Sequence, residues 1–149
     1  GTKNLQLVLV GKEYENSRTE IDKIIQSNKK IKEDVLIFNN VSDKELYEYY
    51  AHASIFILPS LYEGFGIPLI EAMMFDVPVI TSDRSATKEV VGDAAVLIDP
   101  LSVNSMSEAL YLIFRDKKIQ TTLITKGKKR QKSFNWNKSV KIVEKMING

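Results

Sequence analysis

Short apolar runs recur along the chain and alternate with segments of helical periodicity. The runs are continuous and rich in β-branched side chains, a pattern that predicts strands buried on both faces of a sheet. Five runs have this form: residues 7–10, 35–38, 55–58, 77–80 and 94–98. Between them, Ile21, Ile24 and Ile25 follow the i, i+3, i+4 spacing of an amphipathic helix. A second helix is expected after Ser42 or Asp43, because either residue type can serve as an N-cap.

Strands that alternate with helices predict right-handed βαβ crossovers, and therefore an α/β fold. We expect an open parallel sheet of about five strands with helices on both faces, as in Rossmann-like domains. Beyond the fifth run the strand pattern stops, and helices are expected to begin near Lys117 and Trp136, among others. Residues 1–149 are thus predicted to form a single domain, with an α/β core at 1–100 and a helical tail at 101–149.

The segment PSLYEGFGIPLIEA, residues 59–72, directly follows the third run. Open α/β sheets bind ligands at the carboxyl ends of their strands, so this loop is expected at the binding edge. Pro68 suits the first turn of a helix, whose first N–H groups, including that of Leu69, are expected to point outward without partners. Such a helix start attracts anions, above all phosphate or diphosphate. The simpler alternative is a tight turn that needs two glycines and binds nothing.

Two carboxylates flank this loop. Glu63 precedes the glycines and is expected to project into the crevice, whereas Glu71 lies about one turn into the helix, where it can accept hydrogen bonds from ligand hydroxyls. An anion site beside two carboxylates suits a ligand that combines phosphates with a polyol, and a nucleotide sugar is such a ligand. The simpler interpretations are that Glu63 is a solvated charge on a loop and that Glu71 is an acid near a helix N-terminus that interacts favourably with the helix dipole.

The segment resembles the E-x7-E motif of the retaining family-four glycosyltransferases, with Glu63 and Glu71 as its glutamates. Further blocks of that family are matched in order by residues 7–11, 38–46, 50–59, 77–79, 89–95 and 134–136. The resemblance covers nearly the whole chain. It implies the Rossmann-like C-terminal half of a GT-B enzyme, which binds the nucleotide sugar, and a missing N-terminal acceptor-binding domain.

The resemblance implies a role for each matching position. Glu63 would be the catalytic residue and contact the donor sugar near the reacting carbon, and Glu71 would bind the ribose. The remaining donor-binding positions would be Gly64, Phe65, Gly66 and Ile67 for sugar and diphosphate, and Asn39 and Val41 near the base. The implied reaction transfers a sugar, with retention, to an acceptor hydroxyl in glycan or surface polysaccharide biosynthesis. It needs no cofactor and no metal, and the isolated chain is expected to be inactive.

Two departures from the family pattern concern this site. The family usually carries an arginine and a lysine for the diphosphate just ahead of its first strand here, and neither is present in that context. Asp76 stands where the family usually has a glycine after the helix. Aspartate is one of the few residues that tolerate the left-handed conformation, so the turn is expected to survive at some cost.

Charge and composition limit the classes of partner that this protein can be expected to bind. The formal net charge is +2 over 149 residues, which does not favour nucleic acid, and the absence of cysteine fits a cytoplasmic protein. No apolar run approaches the roughly 20 residues of a membrane span. The basic run at residues 126–132 is interpreted as a solvated helix face. Its second interpretation is attraction to anionic lipid, which would place the full-length enzyme at the membrane periphery.

Two other functions remain open from the residues alone. One is a sugar-nucleotide epimerase of related architecture, and the other is a non-catalytic nucleotide-binding module. A phospho-acceptor receiver is disfavoured, because Pro59-Ser60 ends the third run where that class has an aspartate. The spacing of Glu63 and Glu71 favours the transferase over the epimerase.

Overall fold

The computed structural model describes residues 5–12, 17–28, 31–135, 144, 146 and 147. Within this part the elements, in chain order, are β1 (Leu7–Val10), α1 (Ser17–Ser27), β2 (Val35–Phe38), α2 (Asp43–His52), β3 (Phe56–Leu58), α3 (Ile67–Met74), β4 (Val79–Ser82), α4 (Ser85–Val91), β5 (Ala95–Ile98), α5 (Val103–Arg115) and α6 (Lys117–Gln131). The chain forms two compact units, Gly1–Glu48 and Tyr49–Gly149. The helix predicted from Trp136 lies for the most part outside the described residues.

All described strand pairs are parallel, which confirms the α/β class. The described strands form two hydrogen-bonded sheets, one of two strands (β1-β2) and one of three (β3-β4-β5). A single hydrogen-bonded sheet of about five strands was expected from the sequence. In the first unit, β1 runs beside β2 from Leu7 opposite Val35 to Val10 opposite Phe38. Strand β4 is the middle strand of the triplet and all of its residues are buried, as a strand covered on both faces must be.

The start of helix α2 in the first unit is a capping box. The Ser42 N–H donates to Glu45 Oε2 at 2.8 Å, and the Glu45 N–H donates to Ser42 Oγ at 3.3 Å. These two bonds satisfy donors that a helix start leaves without intrahelical partners. Ser42, not Asp43, is therefore the N-cap of this helix.

The core of the second unit lies between its sheet and helices α5 and α6. The buried cluster consists of Ile80, Ile98, Ala109, Ile113 and Leu123. Fully burying an isoleucine or leucine stabilises the fold by about 1.5–3 kcal/mol, so this cluster holds the two helices against the strands. Both helices were expected from the sequence, and both have aspartate or serine caps: Ser102 accepts from the Ser105 N–H and Asp116 from the N–H of Lys118 and Ile119.

Helix α6 packs directly on helix α3 through Gly127. A Cβ placed on Gly127 would lie 3.1 Å from Met73 Cγ, which is closer than ordinary van der Waals contact. Gly127 is buried, and Met73 is 2% exposed. The glycine that interrupts the helical pattern of α6 is thus the point where the two helices approach most tightly.

The lysines of the basic run at residues 126–132 are largely solvent-exposed, and three cations of the run also make specific contacts. Lys126 Nζ lies 3.0 Å from Asp93 Oδ2, and Lys128 Nζ lies 2.8 Å from Asp76 Oδ2. Arg130 Nε donates to the Val90 carbonyl at 2.8 Å. These cations sit at the carboxyl ends of α3 and α4, where the helix dipoles favour positive charge.

Asp76 confirms the conformation expected from its place in the sequence. Its φ of 62° lies in the left-handed region, directly after helix α3 and its C-cap Phe75. The Asp76 N–H donates to the Met73 carbonyl at 3.3 Å, and the Val77 N–H donates to the Ala72 carbonyl at 3.0 Å. The turn into β4 is therefore formed as a glycine would form it, with Asp76 held by its ion pair to Lys128.

Replacing Gly127 by leucine should destabilise the second unit. The new side chain would have to displace Met73, and overpacking of this kind costs about 1–3 kcal/mol. Lys129→Leu, at an exposed position of the same helix, should change the free energy of unfolding by no more than about 0.5 kcal/mol. Urea unfolding of both variants measures the difference. Equal stabilities would contradict the close α3–α6 packing.

Candidate active site

The loop between β3 and α3 ends at a glycine that no other residue can replace without strain. Gly66 is the N-cap of α3 with φ 88° and ψ 53°, and it makes no side-chain cap. A Cβ at this position would lie 2.8 Å from Leu69 Cδ1. At Gly64, by contrast, a Cβ would meet no atom within 4 Å. Gly66 is therefore required by the fold, whereas the space beside Gly64 is open to a ligand.

The helix start presents fewer donors than the sequence predicted. The Leu69 N–H donates to the Gly66 carbonyl at 3.0 Å, so the prediction that this N–H points outward without a partner is wrong. The tight first-turn bond arises because the left-handed Gly66 brings its carbonyl over the third helical residue. None of the backbone bonds among the described residues uses the N–H of Gly66 or Ile67. These two donors remain at the positive end of the helix dipole.

Glu63 is held by side chains on both of its flanks. Ser60 Oγ donates to Glu63 Oε1 at 2.7 Å. The Glu63 main chain exchanges two bonds with Ser85, whose Oγ accepts from the Glu63 N–H at 3.1 Å and donates to the Glu63 carbonyl at 2.7 Å. Ser85 begins α4 with a φ of 58°, an unusual value for a residue with a side chain. Ser60 thus holds one oxygen of the Glu63 carboxylate, Ser85 holds the Glu63 backbone, and the second carboxylate oxygen is left for other partners.

Glu71 lies on the partly exposed side of a firmly anchored helix. Its neighbours Leu69 and Ala72 are fully buried, which fixes the backbone of α3. Glu71 Oε2 accepts a hydrogen bond from the Tyr50 hydroxyl at 3.0 Å. Burial, and after it the negative charge of Glu71, raises the pKa of Tyr50 well above its usual range. The phenol is therefore a neutral donor to this carboxylate at neutral pH.

Phe65 links the loop to the end of helix α6. Its ring meets the Phe134 ring edge to face, with centroids 5.4 Å apart and planes at 89°. The Arg130 guanidinium lies 5.0 Å from the Phe134 centroid, in a cation–π contact. Arrangements of this type each stabilise by about 0.5–1.5 kcal/mol. The first residue of the 134–136 block therefore contacts the candidate loop, a relation that the sequence did not reveal.

The structure brings most of the predicted site residues together in the second unit. Glu63, the residues 64–67 and Glu71 occupy one loop and the first turns of one helix. Asn39 and Val41 belong to the first unit, where they follow strand β2. Among the residues described, no three His, Cys, Asp or Glu side chains cluster closely enough to hold a metal ion together. The same part contains no helix long and apolar enough to cross a membrane.

Three residues that hold Glu63 or Glu71 in place could not be identified from the sequence. Ser60 lies three positions before Glu63, a spacing that suits a side-chain bond but carries no signal by itself. Tyr50 opens the block 50–59 and is buried, and nothing in the sequence indicates that its hydroxyl reaches Glu71. Ser85 left no signal, because its contact with Glu63 spans 22 residues of chain.

Parallel βα units with a glycine loop at the carboxyl edge of the sheet define the class, a Rossmann-like α/β protein. Within this class, residues 2–130 match the sequence profile of the family described as glycosyl transferases group 1. The match covers most of the chain, and the chain belongs to this family.

Individual proteins similar to this chain are also glycosyltransferases or sugar-phosphate synthases by name. The chain is 38% identical over 96 residues to O-antigen chain mannosyltransferase B of Escherichia coli, an alignment that covers 64% of this chain and 25% of that protein. It is 32% identical over 153 residues to the MMP alpha-(1->4)-mannosyltransferase of Mycolicibacterium hassiacum, covering 97% of this chain and 36% of the relative. The fold is similar to sucrose-phosphate synthase from Thermosynechococcus elongatus, with a TM-score of 0.82 and 27% identity over 96% of this chain and 38% of that one.

The chain therefore spans between a quarter and two fifths of the length of these three proteins. The matched solved structure belongs to a GT-B enzyme, and the resemblance to the Rossmann-like half of that fold is confirmed. Glycosyltransferase membership, predicted from the E-x7-E segment and its neighbouring blocks, is confirmed as well.

The two glycines of the loop form a matched pair for mutagenesis. Gly66→Ala should destabilise the chain by about 1–3 kcal/mol, because it combines a left-handed φ with a clash against Leu69. Gly64→Ala should leave the free energy of unfolding nearly unchanged, since the space around it is empty. Chemical denaturation measures both. A Gly64 variant as unstable as the Gly66 variant would contradict the loop geometry.

Proposed function

We propose that this chain is the donor-binding domain of a retaining glycosyltransferase that uses a nucleoside-diphosphate sugar. One observation carries the proposal: Glu63 precedes the α3 start and Glu71 lies in its second turn, and between them the N–H groups of Gly66 and Ile67 have no backbone partner in the described part of the chain. Membership of the glycosyl transferases group 1 family supports it. The diphosphate, the sugar and the ribose of such a donor would then each meet a group of suitable chemistry in the site.

The diphosphate is proposed to bind at the start of helix α3. The free N–H groups of Gly66 and Ile67 and the helix dipole favour negative charge there. The segment 59–66 contains no lysine or arginine. The helix start is therefore the positive potential that this loop itself supplies.

The sugar and the ribose are proposed to bind to the two glutamates. Glu71 accepts hydrogen bonds from the ribose hydroxyls, and Glu63 lies by the donor sugar. Departure of the diphosphate leaves positive charge on the reacting carbon, which a carboxylate held at Glu63 stabilises. The leaving group is stabilised by the helix start, so no metal takes part in the proposed reaction. The acceptor hydroxyl attacks from the face that the leaving group vacates, and this gives retention.

The proposed class of sugar donor and of product is based on the names of the similar proteins. Two of them are named mannosyltransferases, and one of these acts on an O-antigen chain. We therefore propose a hexose donor, with mannose the first to test, and a role in polysaccharide biosynthesis. The base contacts predicted for Asn39 and Val41 are part of the same proposal.

The isolated chain is proposed to bind the donor weakly and to transfer no sugar. It spans only 25% and 36% of the two mannosyltransferases, and the acceptor would bind to an N-terminal domain outside this chain. Incubation with nucleotide sugars and simple mannoside acceptors tests the second point. Release of a glycosylated product by the chain alone would contradict it.

Calorimetric titration of UDP-, GDP- and ADP-sugars, GDP-mannose among them, tests the donor site directly. We expect one nucleotide to bind, and Glu71→Ala to weaken it about tenfold or more, because the ribose loses hydrogen bonds to a charged acceptor. Glu108→Ala is the matched control, an exposed glutamate on α5. Equal binding by the Glu71 variant and the wild type would remove Glu71 from the site.

A further inference from the structure

Tyr50 is buried, yet its hydroxyl reaches the candidate site. The residue lies near the end of α2 and is 5% exposed. Its ring stacks on Phe75 with centroids 5.6 Å apart and an interplanar angle of 16°, and it packs against Phe56 at 5.5 Å. Both aromatic neighbours flank α3, one before its loop and one at its C-cap. The phenol therefore has little freedom to turn away from the helix.

The hydroxyl proton has two acceptors within reach, and distance favours one of them. The Tyr50 oxygen lies 3.0 Å from Glu71 Oε2 and 3.5 Å from the Pro68 carbonyl. A phenol donates a single proton, and a bond to a carboxylate is stronger than one to a neutral carbonyl. The proton is therefore directed to Glu71.

This bond fixes a side chain that is otherwise free to rotate. The backbone at Glu71 is held because Leu69 and Ala72 are fully buried. Glu71 is half-buried, and among the residues described no protein partner besides Tyr50 bonds to its carboxylate. With Oε2 held, Oε1 is left in one place to accept a hydrogen bond from a ligand.

We propose that Tyr50 is a positioning residue, which orients the Glu71 carboxylate so that it selects a nucleotide with a ribose 2′-hydroxyl. The inference rests on the proposed function, since it names the device that gives that site its selectivity. The group recognised is the 2′-hydroxyl of a ribonucleoside diphosphate. Because the donor is a buried neutral phenol, the carboxylate stays oriented without a competing charge.

The test compares ribonucleotides with their deoxy counterparts. UDP, GDP, 2′-deoxy-UDP and 2′-deoxy-GDP are titrated into the wild-type chain, Tyr50→Phe and Tyr111→Phe. The wild type should prefer the ribonucleotide about tenfold, the effect of one hydrogen bond to a charged group. Tyr50→Phe should reduce this ratio to about threefold or less. The control Tyr111 is an exposed tyrosine on α5 beneath Arg115, and its variant should keep the wild-type ratio.

The ratio of ribonucleotide to deoxyribonucleotide affinity separates a positioning role of Tyr50 from a purely structural one. A variant that merely folds less well binds both nucleotides more weakly, and the ratio stays the same. An unchanged ratio in Tyr50→Phe would overturn the inference and leave the proposed function intact. A Tyr50→Phe chain that fails to fold would also overturn it, in favour of a purely structural role. Absence of binding to all four nucleotides by the wild type would overturn the proposed function and the inference together.

A double-mutant cycle in urea tests the contact without any ligand. Tyr50→Phe, Glu71→Ala and the double variant are compared with the wild type. Non-additive effects on the unfolding midpoint are expected, because either single change removes the same hydrogen bond. Additive effects would mean that the hydroxyl and the carboxylate do not interact in solution, and would overturn the inference.

Discussion

The burial of one face of helix α3 is the constraint on which the candidate site depends. Leu69 and Ala72 are fully buried, and Met73 lies against Gly127 of helix α6. This packing determines the direction of the helix axis, and so the direction in which the first N–H groups and Glu71 point. A helix held less tightly could not present a dipole and a carboxylate to the same ligand at once.

Local strain is concentrated at the two ends of this arrangement. Gly66 adopts a left-handed conformation at the start of α3, Asp76 does so at its end, and Ser85 does so at the start of α4. Non-glycine residues in this region cost about 1–2 kcal/mol each, so their presence requires compensation. The Asp76 side chain pairs with Lys128, and Ser85 makes two hydrogen bonds with the Glu63 main chain. The strain therefore lies where the candidate loop is joined to the rest of the second unit.

Much of this could be predicted from the sequence, for physical reasons that are local. Continuous apolar runs mark the five strands, although only β4 is buried throughout and Leu7 and Val10 of β1 are exposed. The cap of α2 and the left-handed Asp76 depend on near neighbours in the chain. The contacts that orient the site are not local. Tyr50 and Glu71 are 21 residues apart, and Glu63 and Ser85 are 22 apart. Such pairs follow from tertiary packing, which periodicity does not encode. The first-turn bond of Leu69 was missed because it depends on the exact ψ of Gly66.

The central claim is that the start of helix α3 holds the phosphates of a nucleotide. Amide chemical-shift mapping of the ¹⁵N-labelled chain during titration with GDP or UDP tests it most directly. The account predicts that the largest shifts fall on Gly64, Gly66 and Ile67. The obvious competitor is the basic run at residues 126–132, which attracts phosphate by charge alone. Shifts confined to that run, with the amides of the loop unmoved, would contradict the account.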